Sequence, residues 1–377
     1  MERGHVDVAA RIANGIWWFW GARSHSDVAL TYLRPLLRHP DQLAPDLQVG
    51  LLTGAAYIEH EGGDIPASLP AGERAVELAR ESGDDRALSL ALIYWANTAA
   101  LNFGRWQEAQ AGYTEGYELA ERAGDDWAMG WHALNHGWIN RFRNRPEEAE
   151  RFLRVARDHF RDAEIPLGLA WATTGLGLAM ALSDQNESAE DLLREAIAMQ
   201  TQLGNKGAVM FGHVVLARLL DTQNRLDEAL EEVEQGLIIN HEIVKNIELH
   251  PVAARVFRRR GDLNQAADHL EKSLDEGPFI GRTAIEFAEL AAVTDLPEVA
   301  APLFVYATDE YVRDGTVPTK AVSEDWHRLR AALDRTVEDW EPIEAQWAAK
   351  TPDEMHPIAV EALAEIRAAL KKGPDGI

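Results

Sequence analysis

The sequence predicts an all-α chain of stacked helix pairs, and three observations carry that prediction. Gly63 through Asp85 aligns with Gly104 through Asp126 at a shift of 41 residues. A small residue, usually preceded by an acid, recurs at Val28, Ser68, Ala109, Ala149, Ala189, Ala229 and Ala266, at steps of 40, 41, 40, 40, 40 and 37. Glycine and asparagine punctuate the chain between these positions at two places per period. A period of that length marks one supersecondary unit that buries its apolar face only by stacking on its neighbours.

Each unit reads as two helices. The first opens after a Gly-Asp or Gly-Asn turn (Gly83-Asp84, Gly124-Asp125, Gly204-Asn205) and the second after a shorter break at Gly104, Asn144, Asp184, Asn224 or Gly261-Asp262. Glycine and asparagine suit the left-handed residue that ends a helix. In the second helix of one unit Ala109, Tyr113, Gly116, Tyr117 and Ala120 fall at helical spacing, while Glu108, Glu115, Glu118 and Glu121 lie largely elsewhere. The recurring alanines are expected at close helix contacts, with no role in a site. Seven units are clear and a degenerate eighth follows near Glu298-Val299-Ala300, so residues 1–295 are expected to form the repeat array and 296–377 a degenerate repeat with capping helices.

Composition narrows the function. Of 377 residues, 46% are apolar and 26% charged, which suits a folded chain with a large core. Lys and Arg total 37 against 62 Asp and Glu, a net charge of −25, which repels nucleic-acid backbones and anionic lipid headgroups. No cysteine is present, so disulfides, thiolate nucleophiles and Cys-based zinc sites are excluded and a cytoplasmic location is expected. The first residues lack a signal-peptide pattern, and no apolar run is long enough to span a bilayer.

The units resemble tetratricopeptide repeats in a longer variant of about 40 residues. The match is best from Leu216-Ala217, where the family has Leu-Gly, through Asn224-Arg225-Leu226-Asp227-Glu228-Ala229 to Leu237; Leu176-Gly177 keeps the usual pair. The family's large aromatics are patchy, with Trp106 and Tyr113 in one unit but Pro146 and Leu153 in the next. This resemblance implies a right-handed α-solenoid. A second resemblance concerns the ends. Ile16-Trp17-Trp18-Phe19-Trp20-Gly21-Ala22-Arg23 with the Tyr32-Leu33 helix, and Val299 to Tyr311, Trp326 to Leu333, Trp347 and Pro357 to Leu370, look like the opening and closing of the helical-repeat region in large bacterial signal-transduction ATPases that regulate transcription. In those regulators the region is a sensor arm for an inducer or partner protein. Their nucleotide-binding signature is missing here. Gly204-Asn205-Lys206-Gly207 lacks the phosphate-loop spacing, and Gly175-Leu176-Gly177 follows no strand. The chain is expected to be either a free-standing relative or the C-terminal part of a longer protein.

Little points to catalysis. His132 and His136 share a helical face beside Trp131 and Trp138, but two ligands do not make a zinc site, and packing roles are expected. His241-Glu242 and His250 lack the second histidine of a zinc protease. No Gly-x-Ser-x-Gly elbow occurs, and Glu228, Glu231, Glu232 and Glu234 read as one solvated face. Neither a metal nor a cofactor is implied.

The tetratricopeptide resemblance places the first helix of each unit on the inner wall of a groove. Trp131, Trp171 and Phe211 recur there at steps of 40 residues. The same faces carry Tyr94, Thr98 and Asn102 in one unit, Trp138, Arg141 and Phe142 in the next, then Leu178, then Arg218 and Asp221. An aromatic wall with a few cationic and amide groups suits a peptide or protein segment, or a small-molecule inducer. The expected function is therefore partner binding by a regulatory sensor or adaptor. A scaffold using its outer acidic face is the alternative, and an enzyme would need a polar cluster that no linear motif announces.

Overall fold

Left-handed residues set the helix pairs at the predicted places. Gly83, Gly104, Gly124 and Gly204 have φ between 61° and 69°, and Asn144, Asp184 and Asn224 take the same region at 52°, 59° and 61°. Asn and Asp tolerate this conformation at single positions, so they substitute for glycine at helix ends. Asp84 and Asn205 then cap the following helices, Asp84 accepting the N–H groups of Arg86 and Ala87 at 3.0 Å and Asn205 that of Ala208 at 3.3 Å.

The computed structural model describes residues 3–22, 26–61, 64–240, 248–277, 279–313, 318 and 320–372, and among these there is no strand. The chain divides into two compact units, Met1–Asn140 with Glu147–Gly175, and Arg141–Pro146 with Leu176–Ile377. The helices in order are α1 (Arg3–Ala22), α2 (Ser26–Leu37), α3 (Pro45–Glu61), α4 (Ile65–Ser82), α5 (Asp85–Phe103), α6 (Trp106–Ala123), α7 (Asp126–Phe142), α8 (Pro146–Asp162) and α9 (Pro166–Leu182). There follow α10 (Asn186–Gln202), α11 (Lys206–Thr222), α12 (Leu226–Asn240), α13 (Leu249–Arg259), α14 (Leu263–Glu276), α15 (Gly281–Val293), α16 (Pro297–Arg313), α17 (Lys320–Leu333), α18 (Glu341–Trp347) and α19 (Pro352–Lys372).

Odd-numbered helices up to α15 are the first members of pairs and even-numbered ones the second. Ser68, Ala109, Ala149, Ala189, Ala229 and Ala266 are fully buried in the second helices, as the close-contact reading requires. Val28 departs from the series. It is 49% exposed while Ala29 is fully buried, so the contact in α2 falls one residue later.

In the first unit a second-helix aromatic reaches between two first helices. Phe160 of α8 is fully buried against Gly130 of α7 and Gly168 of α9, where an added methyl group would overlap its ring. Glycine is needed at both because the ring takes the space of a side chain. Gly116 of α6 leaves room in the same way for the His132 ring. In the second unit one apolar cluster runs from Ala254 through Leu270, Phe287 and Tyr306 to Met355 and Ile366, so α19 packs into the same core as α13 to α16. Arg367 of α19 also pairs with Asp268 and Glu271 of α14 at 2.8 and 2.7 Å.

Candidate functional site

Past their first residues the middle first helices are mostly buried away from one stripe, with Leu169 of α9 and His213 of α11 half-buried off it. In α11 Met210, Val214, Val215, Ala217 and Leu220 are buried, whereas Gly207, Phe211 and Arg218 are half-buried and Thr222 is exposed. Spacings of four, seven and four residues put those side chains on one helix face. The pattern recurs 40 residues earlier in α9 with Leu167, Trp171, Leu178 and Leu182, and again in α7 with Trp127, Trp131, Trp138 and Phe142. A position that stays open in successive repeats is shaped by the repeat itself.

In the first unit Trp131 meets Phe160 edge to face at 5.2 Å, and Trp138 meets Trp171 edge to face at 6.4 Å. These rings have one side in the core and one outside it. Asn102 is exposed in the last turn of α5. Tyr94 and Thr98 sit deeper than the groove reading requires. Tyr94 lies in the core against Trp17 at 5.4 Å and Tyr57 at 4.8 Å, because α1 packs over the face that the middle repeats leave open. Thr98 is buried, its hydroxyl 2.9 Å from Ser68 Oγ and 3.2 Å from His60 Nδ1. Its polar atom serves the contact between α4 and α5.

In the second unit the stripe becomes charged. The Arg141 guanidinium lies over the Phe142 ring at 4.1 Å. Arg218 Nη1 lies 3.4 Å from Glu248 Oε2, and Arg282 pairs with the other oxygen of the same carboxylate. Burial, and then the charges of Arg282 and Arg218, push the Arg141 pKa down to about 9. Burial works to raise the Glu248 pKa, but Arg282, Arg218 and Arg141 outweigh it and hold it low. Two guanidiniums, those of Arg218 and Arg282, therefore share the Glu248 carboxylate.

Beside them lies a balanced network. Asp221, fully buried, accepts from Arg255 at 2.7 Å and Arg259 at 2.6 Å. Arg255 continues to Asp325 at 2.5 Å, Arg258 pairs with Glu286 at 3.2 Å and with Glu289, and Arg328 pairs with Asp325. Asp221, expected on the inner wall, is thus the buried centre of an ion-pair network joining α11, α13, α15 and α17.

Glu248, Arg255, Arg282 and Glu289 were not reached by stepping 40 residues at a time. The repeat shortens: Phe211, Glu248 and Arg282 are 37 and 34 residues apart, as are Arg218, Arg255 and Glu289, and as are Ala229, Ala266 and Ala300. Following the alanines instead of a fixed period extends the stripe to them.

The histidines hold packing positions. His132 is buried with Nε2 3.0 Å from Ser89 Oγ, and burial pushes its pKa down to about 3. His136 stacks on Phe152 at 3.8 Å and is lowered by burial to about 4. His250 and His269 are buried with their Nδ1 atoms 2.8 Å apart. Among the described residues no three His, Asp or Glu side chains gather as metal ligands; His241 and Glu242 lie outside those residues. Glu232 corrects the solvated-face reading of its helix, since it accepts from His213 at 2.6 Å and Arg194 at 2.9 Å. No helix among the described residues is long and apolar enough to cross a membrane.

Two cavities lie elsewhere in the first unit. One of about 540 Å³ is floored by Trp95 between α4 and α6 and crossed by the ion pairs Arg80–Glu115 at 2.6 Å and Arg105–Glu73 at 2.7 Å. The other, about 210 Å³, is lined by Trp17, Trp18, Leu90 and Trp127.

Comparison with known proteins agrees with this architecture. A tetratricopeptide-repeat family model matches residues 210–235, within α11 and α12. The human antiviral innate immune response effector IFIT1 is 24% identical over 244 residues, 61% of this chain and 48% of that protein, so the match spans about half the length of this curated relative. The apo form of the quorum sensor NprR from B. thuringiensis superposes with a TM-score of 0.60 at 11% identity, covering 94% of this chain and 98% of that one. A Rap protein complexed with competence and sporulation factor gives a TM-score of 0.57 at 11% identity, covering 96% and 98%. At such identities the fold is what is shared. With that fold common to nearly its whole length and a repeat model matching inside it, the chain is a helical-repeat protein of the tetratricopeptide type.

Proposed function

We propose that this chain is a regulatory binding protein, a sensor or adaptor in transcriptional control, that receives a peptide or protein segment on the open stripe of its first helices. The observation that supports this reading most is the stripe itself. Large side chains remain half-exposed at four positions of α7 and of α9 and at the two middle positions, Phe211 and Arg218, of α11, while most residues around them are buried. Keeping tryptophan and phenylalanine partly in water forgoes burial worth roughly 25 cal/mol per Å² of apolar surface, and such surface is recovered when a partner covers it. Within each unit, successive first helices offer an extended segment more than one anchor. Structures of the same fold include a protein described as a quorum sensor and one complexed with competence and sporulation factor, which supports a signalling segment as the ligand. The resemblance of both chain ends to the sensor arms of signal-transduction ATPases supports transcriptional control, and a small-molecule inducer would use the same wall.

Selection of displayed random peptides on the full chain tests the reading. Selected peptides are expected to bind about tenfold or more weakly to Trp171→Ala or Phe211→Ala, as for truncated interface anchors. Arg154→Ala, on α8 with its side chain 51% exposed, is the control and is expected to leave binding unchanged. Failure to select any peptide, or selected peptides indifferent to both stripe variants, would count against the stripe as the binding wall.

A further inference from the structure

The smaller cavity of the first unit says more about the ligand. Its walls come from three helices: Trp17 and Trp18 from α1, Leu90 from α5, and Trp127 from the first turn of α7. Leu90 stands 41 residues before Trp131, the shift that relates α5 to α7, so it holds the stripe position of its own repeat. Trp127 is itself a stripe residue, and its ring lies 5.9 Å from that of Trp131. The cavity is therefore continuous with the open stripe, beside the stretch that α1 covers. Two of its walls are fixed in place. Trp17 is buried, edge to face with Tyr57 at 5.8 Å and Tyr94 at 5.4 Å, and seated where Gly54 carries no side chain. Trp127 leans on Trp131, which in turn meets Phe160 at 5.2 Å.

Size and charge select the occupant. The cavity holds about 210 Å³, and an apolar cavity of about 150 Å³ is enough to bind benzene. One aromatic ring therefore fits. The charged groups at its edge answer each other: Asp125 Oδ1 accepts the Ala128 N–H at 3.1 Å, and its Oδ2 lies 3.3 Å from Arg86 Nε. An ammonium brought here would meet the Arg86 guanidinium, and a carboxylate would meet Asp125. A neutral group is favoured. Among neutral groups a ring gains most, because indole walls hold another ring edge to face or offset, beyond what buried area alone supplies. Walls already held in the core also lower the ordering cost of binding. Resting on the reading that the first-helix stripe receives a segment, we infer that this cavity is the specificity pocket for that segment and takes one phenylalanine-sized aromatic side chain from it. The pocket shares Trp127 with the stripe, so a segment held on the stripe passes its mouth.

Photolabelling of the full chain with N-acetyl-4-azidophenylalaninamide, mapped by mass spectrometry, tests the assignment without altering a residue. Saturable label is expected on Trp18, Leu90 or Trp127, with N-acetylphenylalaninamide protecting about tenfold better than N-acetylalaninamide, the scale of one aromatic contact. Leu90→Trp puts the chain's own ring into the pocket and is expected to cut labelling about tenfold at unchanged circular dichroism, since Leu90 is half-exposed. Label spread over the surface, equal protection by the two amides, protection by tetramethylammonium as strong as by the phenylalanine amide, or labelling unmoved by Leu90→Trp would overturn the inference. Peptides selected on the full chain separate it from the reading beneath it. They are expected to protect the pocket from label and to carry an aromatic residue whose replacement by alanine weakens binding about tenfold to wild type and little to Leu90→Trp. Peptides that depend on Trp171 yet bind wild type and Leu90→Trp alike would sink this inference while leaving the segment-binding reading intact. Pocket labelling with no selectable peptide would assign a free aromatic molecule, overturning the segment as occupant together with that reading.

Discussion

The buried histidines are tuned by burial more than by partners. His132, His136 and His269 have pKa values pushed down to about 3, 4 and 4, in each case first by burial. Their folded values lie below the unfolded value of about 6.5, so the unfolded state binds more protons in acid. Stability from these groups is complete above about pH 6.5 and is lost as pH falls toward the folded values. Imidazole NMR signals of the three are expected not to titrate between pH 8 and about pH 5, and titration near pH 6.5 would show them to be solvated. The pairing of His132 and His136 on one helical face was legible in sequence, and so was the expectation of packing roles. Their partners were not, because Ser89 and Phe152 come from other helices. Glu232 was misread for the same reason: Arg194 and His213 stand on neighbouring helices and draw it inward.

At the scale of elements, the helix ends and close contacts follow rules visible in sequence. Gly124 has φ 64°, where a β-branched side chain is strained. Gly124→Val is expected to cost about 1–2 kcal/mol by thermal or denaturant unfolding, and no loss would contradict its left-handed role. Gly130→Ala places a methyl group in the Phe160 ring and is expected to cost about 1–3 kcal/mol, with the penalty reduced in a Phe160→Leu background. The open stripe was legible for α7, α9 and α11 because the period there is constant. Two kinds of element escaped it. Tyr94 and Thr98 were placed on the stripe by projection, but α1 packs beside Tyr94, and Thr98 turns its hydroxyl to Ser68. Glu248 and Arg282 were missed because shorter pairs follow α12, and a fixed step of 40 residues passes them by.

For the molecule as a whole, the helix-pair fold was legible because each repeat states the same solution again, and errors at one repeat are corrected by the others. What binds is less legible, since the stripe proposed to receive it draws its side chains from several repeats and they form no linear motif. The net charge of −25 acts at this scale. Self-repulsion is expected to lower the melting temperature at about 10 mM ionic strength relative to about 150 mM, where the Debye length shortens to roughly 8 Å; a fall in melting temperature with added salt would contradict it. The central claim is that the first-helix stripe is the binding wall. The measurement that tests it most directly is photocrosslinking of a selected peptide to full chains carrying a benzophenone amino acid in place of Phe211, of Leu178, or of Ile238, which is 60% exposed on α12. Crosslinks from the first two positions and none from the third are the expected result. Equal yield from position 238, or crosslinks from that position alone, would place the peptide off the stripe and contradict the account.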